Sequence, residues 1–313
     1  MKAKAVVAFA ALAGLGLSGC SPSSQSIRQP PSQSHTRQPG YDAYGMNPAA
    51  QNLPDYGAQS LTMASDGDMP DLSMAELQAI GDQIFKNEGG GNSNNLVHWN
   101  DGEDFASMGI GHFTWYPAGR MARFGNSFPE MLNYMQAKGV QLPGWLRQAS
   151  YSGAPWQSKA QLMQVKQSPQ VQELQNFLYQ TRLLQAQFIV DRTRRTIPKL
   201  VNATAPQLRG HVSQNLNAVA NTPGGWYALI DYTNFKGEGL NRSGGYNGRN
   251  WGLLQVLEEM RPVQPGQQAL HEFANAAMRV LERRVRNAPP GNNEQRWLAG
   301  WSNRVNTYRR LLA

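Results

Sequence analysis

Residues 88–112 read Glu88-Gly89-Gly90-Gly91-Asn92-Ser93-Asn94-Asn95-Leu96-Val97-His98-Trp99-Asn100-Asp101-Gly102-Glu103-Asp104-Phe105-Ala106-Ser107-Met108-Gly109-Ile110-Gly111-His112, and this stretch decides the fold. A carboxylate precedes three glycines, and two short apolar runs then flank an Asp-Gly step. That step favours a tight hairpin turn, so residues 96–99 and 105–108 are expected to pair as strands. The order gathers several carboxyls near one glycine-tightened turn, as acid/base cleavage of a sugar polymer requires.

Upstream, Ser73-Met74-Ala75-Glu76 fits a capping box, and Leu77, Ile80 and Ile84 recur at helical spacing until Gly89-Gly90-Gly91 ends the run. Glu88 lies four residues beyond Ile84 and prolongs that apolar stripe at the helix end. Its carboxyl is expected to face the interior or a cleft mouth, where desolvation favours the neutral acid. Further helices are expected near 169–184, 186–201, 205–219, 249–260, 267–286 and 293–311. The fold class is therefore mainly α, an α+β body of helices with a small β-hairpin inserted after the first helix. No internal repeat is visible.

The first residues are targeting signal and not structure. Lys2 and Lys4 precede an apolar core from Ala5 to Leu17, and Leu17-Ser18-Gly19-Cys20 closes it, which resembles a bacterial lipobox. Residues 1–19 are expected to be cleaved, and Cys20, the one cysteine of the chain, to carry fatty acyl chains such as palmitate. With one cysteine there is no intrachain disulfide and no Cys-rich zinc site. Acyl chains bind a membrane surface without spanning it, each buried methylene contributing about 0.8 kcal/mol. Residues 20–70 are rich in Ser, Pro, Gln, Gly and Asn and read as a disordered tether. Such a tether has a reach of roughly 40 Å. Ser21 after the lipidated cysteine resembles the outer-membrane sorting pattern, with the protein facing the periplasm of a bacterial cell envelope.

Residues 71–313 are long enough for one large domain or two lobes around a cleft. The formal charge is +8, and without the leader 27 basic stand against 21 acidic residues. A basic surface suits anionic wall polymers, phospholipid headgroups or nucleic acid. No Lys/Arg block or nucleic-acid reading motif is present, and the leader points out of the cytoplasm, so nucleic acid is not the expected partner.

The order Glu88, Asp101, Ser107, Gly109-Ile110-Gly111-His112 resembles the phage-type lysozyme family, in which a helix-terminal Glu, an Asp and a Thr precede a Gly-x-Gly-His turn. Ser107 stands where the family has Thr. A second block, Ala228-Leu229-Ile230-Asp231-Tyr232-Thr233-Asn234-Phe235-Lys236-Gly237-Glu238, is similar to the buried helix behind the cleft of such lysozymes. The resemblance implies a muramidase-type glycoside hydrolase, anchored to the membrane and acting on peptidoglycan or a related amino-sugar polymer. Glu88 would be the general acid, and a second carboxylate would hold a water with Ser107.

The loop before Ser107 carries Asp101, Glu103 and Asp104 and is longer than in small phage lysozymes, so either Asp101 or Glu103 presents that carboxylate. The family's usual outcome is inversion, for which the carboxyls stand about 6.5 to 9.5 Å apart. His112, Trp115, Tyr116, Lys236 and Glu238 are the candidate substrate-binding residues. His35, His98, His211 and His271 lack metal-ligand spacing, and no metal or cofactor is implied. Two rivals are a peptidoglycan-binding lipoprotein that kept the fold and lost the chemistry, and a lytic transglycosylase in which Glu88 acts alone.

Overall fold

The computed structural model describes residues 72–122, 125–241 and 245–310. The leader, Cys20 and the tether lie outside the described residues. The chain is mainly helical, with eleven α-helices and a small antiparallel sheet among the described residues.

Helix α1 (Met74–Gly89) begins at the capping box read from the sequence: Glu76 N–H donates to Ser73 Oγ at 3.2 Å and Ser73 N–H to Glu76 Oε2 at 2.9 Å. It ends at Gly90, whose φ of 63° is left-handed and returns N–H bonds to the last turn. Leu77, Ile80 and Ile84 are buried on one face, which packs on α6 (Arg182–Ala203).

The hairpin is present, with β1 (Val97–His98) antiparallel to β2 (Ala106–Met108) and His98 opposite Ser107. The expected pair of strands gains a third, β3 (Phe113–Trp115), in the order β1-β2-β3. Trp115 and Tyr116 are 0% and 2% exposed, so neither offers a face to a sugar. Trp115 instead packs on Phe128 and Trp156, at centroid distances of 4.8 and 5.8 Å. Alternation along β3 sends it into the core.

The sequence reading also passes over α2 (Ser127–Ala137), α3 (Gly144–Ser152) and α4 (Lys159–Gln164), which follow the sheet. Beyond them, α5 (Pro169–Gln180) is followed directly by α6, with Thr181 as the single residue between the two helices. α6, α7 (Arg209–Ala220), α9 (Leu253–Glu259) and α10 (Gln267–Asn287) pack around α8 (Gly225–Lys236), which α11 (Leu298–Thr307) reaches through Arg304. Every residue of α8 is buried except Thr233 and Asn234, which are half-buried, so the helix is enclosed on nearly all sides. Asn234 is half-buried and looks toward the end of α1.

The Gly-Ile-Gly-His turn is fixed from α6. Gly109 has φ 69°, and a Cβ there would collide with the Gln185 amide oxygen. That oxygen accepts from Ile110 N–H at 2.9 Å, while the Gln185 amide nitrogen donates to Leu178 O at 2.6 Å and Thr181 Oγ1 at 3.1 Å. Gln185 is 0% exposed, so no water replaces these bonds if the side chain is lost. Gln185→Leu is expected to lower stability by about 2 kcal/mol, measured by denaturant unfolding, because it strands a buried N–H and a buried carbonyl. An unchanged unfolding midpoint would show that the turn holds without it.

Candidate active site

Glu88 closes α1, with a side chain that is 9% exposed. Three groups from distant parts of the chain reach it. Arg304 Nη2 of α11 donates to Oε1 at 2.6 Å, Asn234 Nδ2 of α8 donates to the same oxygen at 3.1 Å, and His112 Nδ1 lies 3.6 Å from Oε2. The sequence reading expected an apolar setting for this carboxyl. The buried face instead brings it a guanidinium and an amide.

Arg304 is itself held from behind. Its Nε and Nη2 donate to the two oxygens of Asp231, both at 2.8 Å. Asp231 is 0% exposed and also accepts from Tyr308 Oη at 2.6 Å and Asn87 Nδ2 at 3.1 Å. Burial opposes the Arg304 charge, yet Asp231 and Glu88 hold it well above the ordinary arginine range. Burial and the Asp231 charge likewise hold the Tyr308 phenol far above its usual value. With both oxygens committed to Arg304, Asp231 balances most of the charge that Arg304 presents to Glu88.

From Glu88 a chain of polar groups runs to the hairpin. His112 sits at φ 47° in the turn, and its ring stacks with that of His98 at 6.4 Å between centroids and 20° between planes. Burial lowers both imidazoles, so both rings favour the neutral form. The Asn100 side chain bonds His98 and also donates to Glu103 Oε2 at 3.1 Å. Glu103 Oε1 is buried without a hydrogen-bond partner among the described residues. Burial therefore pushes the Glu103 carboxyl up to about 7, against the Asn100 bond.

Asp101 does not join this chain. Its side chain is 93% exposed and paired with Lys159 at 2.8 Å, which holds the carboxyl below its usual range by hydrogen bond and charge. The Asp-Gly step that makes the turn is what carries Asp101 out to solvent. Asp104 is also exposed, 3.5 Å from Arg120. Ser107 is 1% exposed, inside the sheet between His98 and Thr114, and closed to a substrate water. Glu238 is half-buried, with Oε1 accepting from Thr196 at 2.7 Å. Lys236, expected at the cleft, is only 6% exposed and lies between aromatic rings.

Arg304, Asp231, Asn234, His98 and Asn100 were not singled out by sequence reasoning. A signal for Arg304 was present: it falls between Trp301, Val305 and Tyr308, a buried stripe in which a cation needs an acid. Compared with protein-family models, curated proteins and solved structures, the chain matches none.

Arg304→Met should strand Asp231 and Glu88 without a cation and lower stability by about 3 to 5 kcal/mol, read from denaturant unfolding. A loss below about 1 kcal/mol would mean that Asn87, Asn234 and Tyr308 satisfy the acids alone.

Proposed function

We propose that the protein is a lysozyme-like glycosidase, tethered through lipid on Cys20 to the outer membrane and cleaving the glycan strands of peptidoglycan or a related amino-sugar polymer. The observation that carries this reading is the setting of Glu88: a carboxyl at the end of the first helix, linked by His112, His98 and Asn100 to a second, half-buried carboxyl on the hairpin. Buried acids with unlike surroundings are suited to divided acid and base roles. The order of Glu88, the Gly-Ile-Gly-His turn and the buried helix 228–236 is the part that resembles phage-type lysozymes.

In this proposal Glu88 gives its proton to the glycosidic oxygen as the bond from C1 to that oxygen breaks. Glu103 takes a proton from the water that attacks C1, in place of the family-register Asp101. A carboxyl pushed up to about 7 is matched to that task, since a base works best when its proton affinity lies near the working pH. Arg304, balanced by Asp231, fixes Glu88 in place without a full unbalanced charge beside it.

A second reading is favoured by the departure of Asp101 from the site. A lytic transglycosylase needs only Glu88, with the sugar's own hydroxyl as nucleophile. Glu103 separates the two.

On purified peptidoglycan, Glu88→Gln is expected to cut turnover by about 10³-fold and Glu103→Gln by about 10²-fold, while Asp101→Asn changes it less than about twofold. The sign of the pH effect follows from the base role. Glu103 must be ionised, so kcat/KM should rise with pH up to about 7 and level off above it, and Glu103→Gln should abolish that limb. Wall turnover that survives Glu88→Gln rejects the proposal; Glu103→Gln that keeps full activity and yields anhydro ends selects the transglycosylase. For the anchor, Cys20→Ser should move the protein from the membrane to the soluble fraction.

A further inference from the structure

From 192 to 230 the chain holds Arg192, Arg194, Arg195, Lys199 and Arg209 but no Asp or Glu. The missing acids set this segment apart. It folds into the second half of α6, the short turn Pro206–Leu208, α7 and the first part of α8.

Two of these cations are used by the fold. The Arg194 guanidinium lies 5.3 Å from the centre of the Trp226 ring, and Arg209 turns back onto the end of α6, donating from Nε to Thr204 O at 3.2 Å and from Nη2 to Asn202 O at 3.3 Å. Arg192, Arg195 and Lys199 are exposed, and none has a carboxylate within ion-pair distance among the described residues. Other cations at the surface meet acids, as Lys159 does Asp101 and Arg120 does Asp104. Spaced three and four residues apart, the three stand on one face of α6 and span about 10 Å along it. The acid next to them in sequence, Asp191, is half-buried and accepts from Tyr134 Oη at 2.7 Å. The helix dipole does not account for them, because it favours cations in the last turn, where α6 has none.

We propose that Arg192, Arg195 and Lys199 form a rail for a linear polyanion, the carboxylate-bearing peptides of the wall polymer, and so give the protein a second contact with the wall besides the site at Glu88. The inference rests on the glycosidase reading for the identity of the partner and on the charge pattern for the surface. Like charges at helical spacing repel and add nothing to the helix, but together they attract a strand whose negative charges recur along its length. Guanidinium forks suit carboxylates in particular. A membrane is the other anionic surface within reach of a lipidated chain, yet helices that lie on lipid bury apolar side chains beside their cations. The other exposed residues on this half of α6 are Pro198 and Asn202, which offer no such anchor.

Cosedimentation of the full chain, in detergent micelles, with purified peptidoglycan sacculi at low ionic strength tests this. The triple variant Arg192→Gln/Arg195→Gln/Lys199→Gln keeps helix propensity and should bind about tenfold more weakly than wild type, with a shallower dependence on added salt. Arg147→Gln/Arg261→Gln/Arg286→Gln removes the same net charge from exposed positions elsewhere and should lose less than about threefold. An equal loss in both variants means attraction by net charge only and overturns the rail. Amidation of the sacculi with carbodiimide and ammonia, which needs no variant, should bring wild type down to the level of the first triple variant; unchanged binding overturns the carboxylate partner. A loss seen on phosphatidylglycerol vesicles but not on sacculi assigns the face to lipid and also overturns the proposal. None of these readouts needs turnover. A wild type that binds through the rail and leaves the glycan intact defeats the glycosidase reading alone, and one that cleaves but binds the wall equally well after substitution defeats only the rail.

Discussion

Arg304 is the joint on which the structure turns. A single guanidinium spans two carboxylates, Asp231 in the central helix and Glu88 at the end of the first, and so ties three helices together at a largely buried point. Two acids buried around one point need a shared donor. One cation with planar, forked donors resolves this, which a lysine at the same place would not do as well. Tyr308, Asn87 and Asn234 then fill the remaining acceptor positions. Both oxygens of Asp231 and one of Glu88 are thereby bonded.

The same constraint explains why the central helix reads oddly as a sequence. α8 is apolar on nearly every side, so its hydrophobic pattern has no face, yet it carries Asp231, Asn234 and Lys236. These polar groups are admitted because each has an answer: a guanidinium, a carboxylate, and a pair of rings. The helix is at once the core of the body and the back wall of the site. Side chains there are set by charge balance as much as by packing.

Much of this body is legible in the sequence because local chemistry and tertiary packing agree. Ser73 and Glu76 cap α1, three glycines stop it, and the apolar spacing of α5, α6, α7, α10 and α11 survives as their buried faces. The hairpin follows from its turn residues. Where the reading fails, a long-range effect overrides a local one. Helices α2 to α4 are short and separated by Gly, Pro and polar residues, so no periodic run announces them. Trp115 looks like a cleft residue until pairing with β2 turns it inward. Asp101 fits a familiar register, but the turn it helps to form carries it outward, and the acid two residues on is the one with a buried oxygen. Arg304 escapes notice because a cation in a periodic run is normally read as surface, and its partners lie 73 and 216 positions away.

Those separations carry a cost in time. Neither α1 nor the small sheet contains any of the donors that Glu88 uses, apart from His112; the others arrive from 146 and 216 positions downstream. Contacts that distant require loop closure before they return any stabilisation, so they form late. Until those segments arrive, the carboxyl at the end of the first helix has no guanidinium beside it. The polar constellation comes together as a last event, when the final helix docks, and a nick ahead of that helix would take it apart while leaving most of the body standing.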